Sequence, residues 1–436
     1  MKGTSWQNMV KIIGTVTVLF LAQVPAEVVT AISLPECTTD SIEAPPTIIA
    51  SAPCGIYGEV MTRIAPDGAP IVIKYVRHSP AGTPKALVVL FAGGDLSTGI
   101  EGSVIGAPPT DAGNNFLVRS AQLFAEEGYL VLTLHKPVRR PGGGVEIEEF
   151  AGNLAADKYR VSPQHAFDIV KAIVQENPDV PGQPDRLNVL LAGTSRGAIS
   201  IAANYMLSVG ILLSSPVASP PPGSPEPTTS CGADSPACPP LFVGHPHPRL
   251  QPGFVQVPVH VMAHRHDGCV VSTPSDAEAL HHAFRQAGVD SRLDQLNGGF
   301  EALADPCQAL THHGYLGIEK KAVKETAKRM DEILRELQLR FRGNRKPVAL
   351  SGTLPGVSGY TLNLANPVLT SDPDGDQLTY SLPYDTSYRG NPVAMTSPTE
   401  VTYFPVARGI TDGFVYRVSD GKGGGSVNVV VVTVPP

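Results

Sequence analysis

Residues 193–197 read Gly-Thr-Ser-Arg-Gly and follow the apolar run Leu187-Asn188-Val189-Leu190-Leu191-Ala192. A G-x-S-x-G segment at the end of a strand is a sharp strand-to-helix turn that lifts a serine hydroxyl above a sheet. Glycines flank the turn because side chains there would collide. Ser195 is therefore the candidate nucleophile. Such a serine needs a base to take its proton and a carboxylate to orient that base. For this turn the partners follow in the chain order serine, acid, histidine. His264-Arg265-His266-Asp267-Gly268-Cys269 comes directly after an apolar run, and active-site acids collect at the C-terminal ends of parallel strands. Asp267 is the candidate acid. Thr311-His312-His313-Gly314-Tyr315 supplies the base: His313, followed by glycine, is the first choice and His312 the second, since spacing does not separate neighbours. An oxyanion needs backbone amides. One belongs to Arg196; the other to Gly94 or Asp95, in Phe91-Ala92-Gly93-Gly94-Asp95 after an earlier strand.

The cysteines bear on the same loops. There are six, Cys37, Cys54, Cys231, Cys238, Cys269 and Cys307, an even number suited to disulfides in an exported chain. Closeness along the chain suggests Cys37–Cys54 and Cys231–Cys238, leaving Cys269–Cys307. That last bridge would staple the acid loop to the base loop.

The elements that must position these residues are legible as a rhythm. Apolar strands at Ala86–Phe91, Tyr129–Leu134, Leu187–Ala192, Gly210–Leu213 and Val257–Ala263 alternate with helical patterns at 116–127, 162–175 and 274–287. A strand-like piece follows at 291–293, and the longest helical pattern runs from Ile318 to Phe341. Strands alternating with helices predict an α/β fold with a doubly wound, mostly parallel sheet. A proline-rich insertion at 216–256 interrupts the rhythm and is either a roof over the site or a surface excursion. From residue 344 the pattern changes to strands with period two, separated by Gly, Pro and Asp turns, which predicts a small all-β sandwich over 344–436.

The first 31 residues read as a signal peptide, with Lys2 and Lys11 as a positive n-region, Ile12 to Ala22 as a short apolar h-region and cleavage near residue 26 or 31. The apolar run is shorter than the roughly 20 residues a spanning helix needs. This places the protein outside the cytoplasm, secreted or periplasmic. A net charge of −7 gives no electrostatic case for nucleic acid.

Residues from about 70 to 340 resemble the α/β-hydrolase superfamily. The resemblance rests on the Gly-Gly turn after a strand, Gly193-Thr194-Ser195-Arg196-Gly197, the His-Asp-Gly-Cys acid loop and His313-Gly314-Tyr315. It implies a hydrolase domain over 32–343, a Ser195–Asp267–His313 triad, and ester or related acyl hydrolysis with no cofactor required. The substrate would be a small-molecule or polymeric ester. A peptidase of the same fold, or a catalytically silent surface-binding protein, are the rival readings. The chain lacks a His-Gly-Gly-Gly motif, and its 216–256 insertion lacks the helical look of a cap, so the subfamily stays open. The tail resembles bacterial cadherin-like or immunoglobulin-like modules, carried by Arg345-Lys346-Pro347-Val348-Ala349, Ser371-Asp372-Pro373-Asp374-Gly375-Asp376 and Tyr416-Arg417-Val418-Ser419-Asp420-Gly421. Such a module implies contact with a cell surface or matrix.

Two metal readings arise. Asp372, Asp374 and Asp376 could offer oxygen to a structural Ca²⁺, or simply form a Pro-Asp-Gly turn. His264 and His266 could join Asp267 around a catalytic zinc, and His245 and His247 repeat their spacing. The triad already uses Asp267, and zinc needs three or four ligands.

Overall fold

The structure is a computed structural model. It describes residues 55–64, 68–94, 98, 100, 105, 114–142, 146–148, 163–176, 187–217, 255–340, 343–355, 360–387, 389, 391–406 and 408–436. The signal segment, Asp95, Cys37, Cys54, Cys231, Cys238, His245, His247 and residues 218–254 of the proline-rich insertion lie outside the described residues.

The sheet begins with an antiparallel pair, β1 (Ile56–Ile64) and β2 (Pro70–His78). Then come β3 (Leu87–Phe91), β4 (Leu130–Leu134) and the short β5 (Val138–Arg139) and β6 (Ile147–Glu148). β7 (Val189–Thr194), β8 (Gly210–Ser214), β9 (Val259–His264) and β10 (Ser291–Leu296) complete it. The order is β10-β9-β8-β7-β3-β4-β2-β5-β6, with β1 alongside β2. Every pairing from β10 across to β4 is parallel. β3 shows why the central strands read as unbroken apolar runs. Leu87, Val89 and Phe91 enter one apolar core while Val88 and Leu90 enter another, so both faces need apolar side chains.

Helices cover the two faces. α1 (Phe116–Arg119), α2 (Ala121–Glu126) and the long α6 (Glu319–Arg340) supply the core around Val88 and Leu90. α3 (Pro163–Glu176), α4 (Gly197–Asn204) and α5 (Pro274–Gln286) supply the core around Val89. The body is an α/β fold, doubly wound around a mostly parallel sheet. One expected helix is two: the pattern at 116–127 breaks at buried Ser120, whose φ of −99° and ψ of 1° leave helix geometry. β1, too, is a full strand where the sequence showed no clear pattern.

The C-terminal part is all β: β11 (Val348–Ala349), β12 (Gly352–Pro355), β13 (Tyr360–Asn363), β14 (Thr370–Ser371) and β15 (Thr379–Ser381). β16 (Val393–Met395), β17 (Glu400–Tyr403), β18 (Ile410–Ser419) and β19 (Gly425–Val434) follow. The sheets are β12-β19-β18-β15, β13-β17-β16 and the pair β11-β14. Phe414, Tyr416, Val418, Val430 and Val432 face a private core with Val401 and Tyr403. The opposite face of the same strands is apolar as well. Val415 and Val429 join the α3 and α4 core of the body, with Val427 and Val431 packed against it. The second apolar face of β19 therefore covers the body.

Candidate active site

The Ser195 turn is enforced by close packing. A Cβ at Gly197 would lie 2.1 Å from the Phe91 carbonyl oxygen, and one at Gly193 would lie 2.4 Å from that of Gly197. No side chain fits either place, so β7, the turn and α4 sit closer to β3 than any other residue type allows. Ser195 itself has φ +52°, a left-handed conformation that non-glycine residues adopt at a cost and retain mainly at functional turns. Its N–H donates to the Ser214 carbonyl at 2.9 Å, and its own carbonyl accepts from Ala198 N at 3.1 Å. The backbone is thereby held on both sides of the hydroxyl.

Asp267 and His313 are brought together. His313 Nδ1 lies 2.9 Å from Asp267 Oδ2, and both side chains are buried. The other carboxylate oxygen accepts from Cys269 N at 2.9 Å. A buried carboxylate facing Nδ1 fixes the tautomer: Nδ1 carries the proton and donates it, leaving Nε2 as a bare lone pair. Nε2 is buried and, among the described residues, has no hydrogen-bond partner. Ser195 and His313 line the same cavity of about 190 Å³, without a direct hydrogen bond between them. Of the two adjacent histidines, His313 meets the acid. His312 turns away to Glu301, 3.1 Å from its Nδ1.

Several residues around this pair carried no sequence signal. Ser272 Oγ lies 3.0 Å from the same His313 Nδ1. Arg119 and Glu319 form a buried ion pair at 2.9 Å. The same guanidinium donates to the Ala309 carbonyl at 3.2 Å and to that of Gly314, so it clamps both ends of the base loop. Burial pulls the Arg119 guanidinium below its ordinary value, and Glu319 opposes that shift. Tyr315 is fully buried, donates to the Met262 carbonyl at 3.0 Å and accepts from Ser215 Oγ at 3.1 Å. Burial raises its phenol well above the ordinary range, which keeps it neutral. Gly314 admits no substitute, because a Cβ there would lie 1.9 Å from the Ala309 oxygen.

Cys269 and Cys307 are bonded, with Cα atoms 4.5 Å apart. Cys269 follows Asp267 by two residues, and Cys307 lines the cavity. Gly93 and Gly94 line it too, and Gly94 adopts φ +69°. Arg196 sits at the start of α4, directly after Ser195.

The metal readings divide. His264 Nε2 donates to the Gly298 carbonyl at 2.7 Å, and its Nδ1 accepts from His266 N at 3.1 Å. Both nitrogens are used, and neither is left for zinc. The three aspartates do converge: one oxygen from each of Asp372, Asp374 and Asp376 lies within 4.8 Å of the others. Arg345 Nε donates to Asp374 at 2.8 Å, and Lys422 is paired with Asp376. Among the described residues nothing partners the buried Asp372 Oδ2 and Asp376 Oδ2, which is where a hard cation would find oxygen. Among the described residues, no helix is long and apolar enough to cross a membrane.

Residues 344–433 match the bacterial Ig domain family. No curated protein matches the chain. Solved structures with a similar fold include a serine hydrolase without a lid from Xanthomonas campestris, at 13% identity and a TM-score of 0.36, covering 63% of this chain and 95% of that one. Brefeldin A esterase, a bacterial homologue of human hormone sensitive lipase, is 13% identical with a TM-score of 0.37 and covers 68% and 82%. An esterase of Pyrococcus furiosus is 12% identical with a TM-score of 0.35 and covers 64% and 92%. By its own strand order and the turn at Ser195 the body has the α/β-hydrolase architecture, and the residues that follow it, 344–433, match the bacterial Ig domain family.

Proposed function

We propose that the protein is a serine hydrolase of carboxylic esters. Ser195 is the nucleophile, His313 the base and Asp267 the acid that orients it. The observation that carries this reading is His313 Nε2, buried and without a partner in a cavity it shares with Ser195, while its Nδ1 is held by Asp267. Buried polar atoms without partners are rare and call for a functional account. Catalytic hydrogen bonds commonly close only when substrate is bound, so a lone Nε2 beside the serine suits a resting site.

In this reading Ser195 Oγ attacks the ester carbonyl as His313 Nε2 takes the hydroxyl proton. The carbonyl oxygen becomes an oxyanion and is met by the amides of Arg196 and of Gly94 or Asp95. His313 returns the proton to the departing alcohol, which leaves an acyl-enzyme. Water then repeats the sequence and releases the acid. Asp267 stabilises the imidazolium.

The test is covalent labelling by a fluorophosphonate together with turnover of short-chain p-nitrophenyl esters. Native protein should label and turn over, and Ser195→Ala should lose both. Ester turnover by Ser195→Ala would exclude the serine mechanism. Labelling with cleavage of peptides and not esters would favour a peptidase; no labelling would favour a binding protein. The signal segment and the Cys269–Cys307 bridge support a place in an oxidising compartment outside the cytoplasm, with the Ig domain meeting a cell surface or matrix. The aspartate turn enters the proposal as a structural Ca²⁺ site. A higher melting temperature in Ca²⁺ than in EDTA would support it, and identical melts would assign the turn to Arg345 and Lys422 alone.

A further inference from the structure

Asn115 lines the same cavity, just before α1. Its orientation is decided by chemistry. The Leu117 N–H donates to Asn115 Oδ1 at 3.1 Å, and only the oxygen of an amide can accept that bond. The NH₂ group must therefore point the other way. What it faces is read from Gly93. A Cβ built on Gly93 would lie 2.9 Å from Ser195 Cβ and 3.1 Å from Asn115 Nδ2. One point in space is thus close to the serine side chain, to the amide donor and to the glycine turn that follows β3. No acceptor among the described residues reaches Asn115 Nδ2.

The amide is also held in place by two contacts of its own segment with the loop at 309–315. Phe116, the next residue, packs on Tyr315 with ring centroids 4.8 Å apart. Arg119, at the end of α1, clamps the Ala309 and Gly314 carbonyls on either side of His313. The segment carrying Asn115 is therefore pinned to the loop carrying the base, as a preorganised donor requires.

We propose that Asn115 Nδ2 is a side-chain donor to the oxyanion formed when Ser195 attacks, supplementing the backbone amides. The proposal rests on the Ser195 reading. As the Oγ–C bond forms, the carbonyl π pair moves onto oxygen, and Asn115 gives that oxygen a hydrogen bond without transferring its proton. Gly93 is glycine because any side chain there would occupy the space between donor and nucleophile.

The test uses two variants of the full chain that keep the oxygen cap on Leu117 N. Asn115→Asp has the same shape and turns the donor into an anion. Asn115→Ser replaces the amide NH₂ by a shorter hydroxyl that sits back at the Leu117 cap, out of reach of the oxyanion, without adding charge. Each is measured for kcat and KM on a short-chain p-nitrophenyl ester, for melting temperature and for affinity to a trifluoromethyl ketone, which forms the oxyanion on Ser195. Loss of one oxyanion donor lowers kcat by about 10²–10³-fold. We expect that loss in Asn115→Ser, a larger one in Asn115→Asp, KM within a few-fold, unchanged melting and ketone affinity falling in step with kcat/KM. Wild-type kcat in Asn115→Ser overturns the proposal. So does a loss of kcat with ketone affinity intact, which would mark a structural role. If the unaltered protein fails to label with fluorophosphonate, the Ser195 reading itself falls; labelling with an unaffected Asn115→Ser removes only Asn115.

Discussion

The hydroxyl of Tyr384 donates to Asn204 Oδ1 at 3.0 Å, joining the C-terminal domain to the last residue of the helix that starts beside Ser195. Both residues are buried, and Asn204 Nδ2 donates back to the Ser200 carbonyl at 2.7 Å. Tyr384→Phe would leave the Asn204 oxygen buried with nothing to accept. Such an orphan costs about 1–3 kcal/mol. The expected result is a melting temperature several degrees lower, read by calorimetry; an unchanged melt would mean that water takes the place of the hydroxyl.

The Cys269–Cys307 bridge closes a stretch with a sequence separation of 38. Loop-closure entropy for that length corresponds to about 4 kcal/mol. Cys269→Ser and Cys307→Ser should each lose stability on that scale in urea titrations. Ester turnover should fall as well, because the bridge ties the Asp267 turn to a wall of the cavity. Full turnover in a stable Cys307→Ser variant would separate the bridge from the site.

Arg119→Ala should be far more damaging than an ordinary surface change. It strands Glu319, which is 1% exposed, and breaking one side of a buried pair costs about 3–5 kcal/mol. It also frees the Ala309 and Gly314 carbonyls. Replacing both partners with apolar residues should recover much of the stability without restoring the base loop, so stability and turnover should part company in Arg119→Met/Glu319→Leu.

Acid should weaken the fold through His264. Burial lowers its pKa below the ordinary 6.5, against the pull of the Gly298 carbonyl; His312, stacked at 4.4 Å, and His266 lower it further. Asp267 opposes them. The unfolded chain therefore binds a proton more readily than the folded one. The stabilisation is complete above pH 6.5 and is lost as the pH falls through the lower folded value. Buried His260 shifts in the same direction. Urea midpoints should drop between pH 7.5 and 5.5, and His264→Gln should flatten the drop.

What the sequence shows and what it hides follow from range. The central strands are unbroken apolar runs because both faces are covered, and that signal is local. The pattern at Ser195 is local too: Gly193 answers to the carbonyl of Gly197 within the same five residues, although Gly197 itself answers to Phe91 on the neighbouring strand. The order of Ser195, Asp267 and His313 gave candidates, but only contact separated His313 from His312, because one meets Asp267 and the other Glu301. Arg119, Ser272 and Tyr384 act on residues 200, 41 and 180 positions away, distances over which no periodicity survives. Asn115 did leave a trace: an asparagine ahead of an apolar helical run is a capping signal, though a cap alone says nothing of where the amide nitrogen points. β19 was legible as a strand, yet its two apolar faces were not assignable until the body was seen beneath it.

That second face has a consequence for how the molecule meets its surroundings. Val415 and Val429 lie in the same apolar cluster as Val189 and Ile201, so the Ig domain cannot swing on a tether. Whatever grips it also fixes the heading of the cavity, so Ser195 and His313 face their surroundings at one set angle.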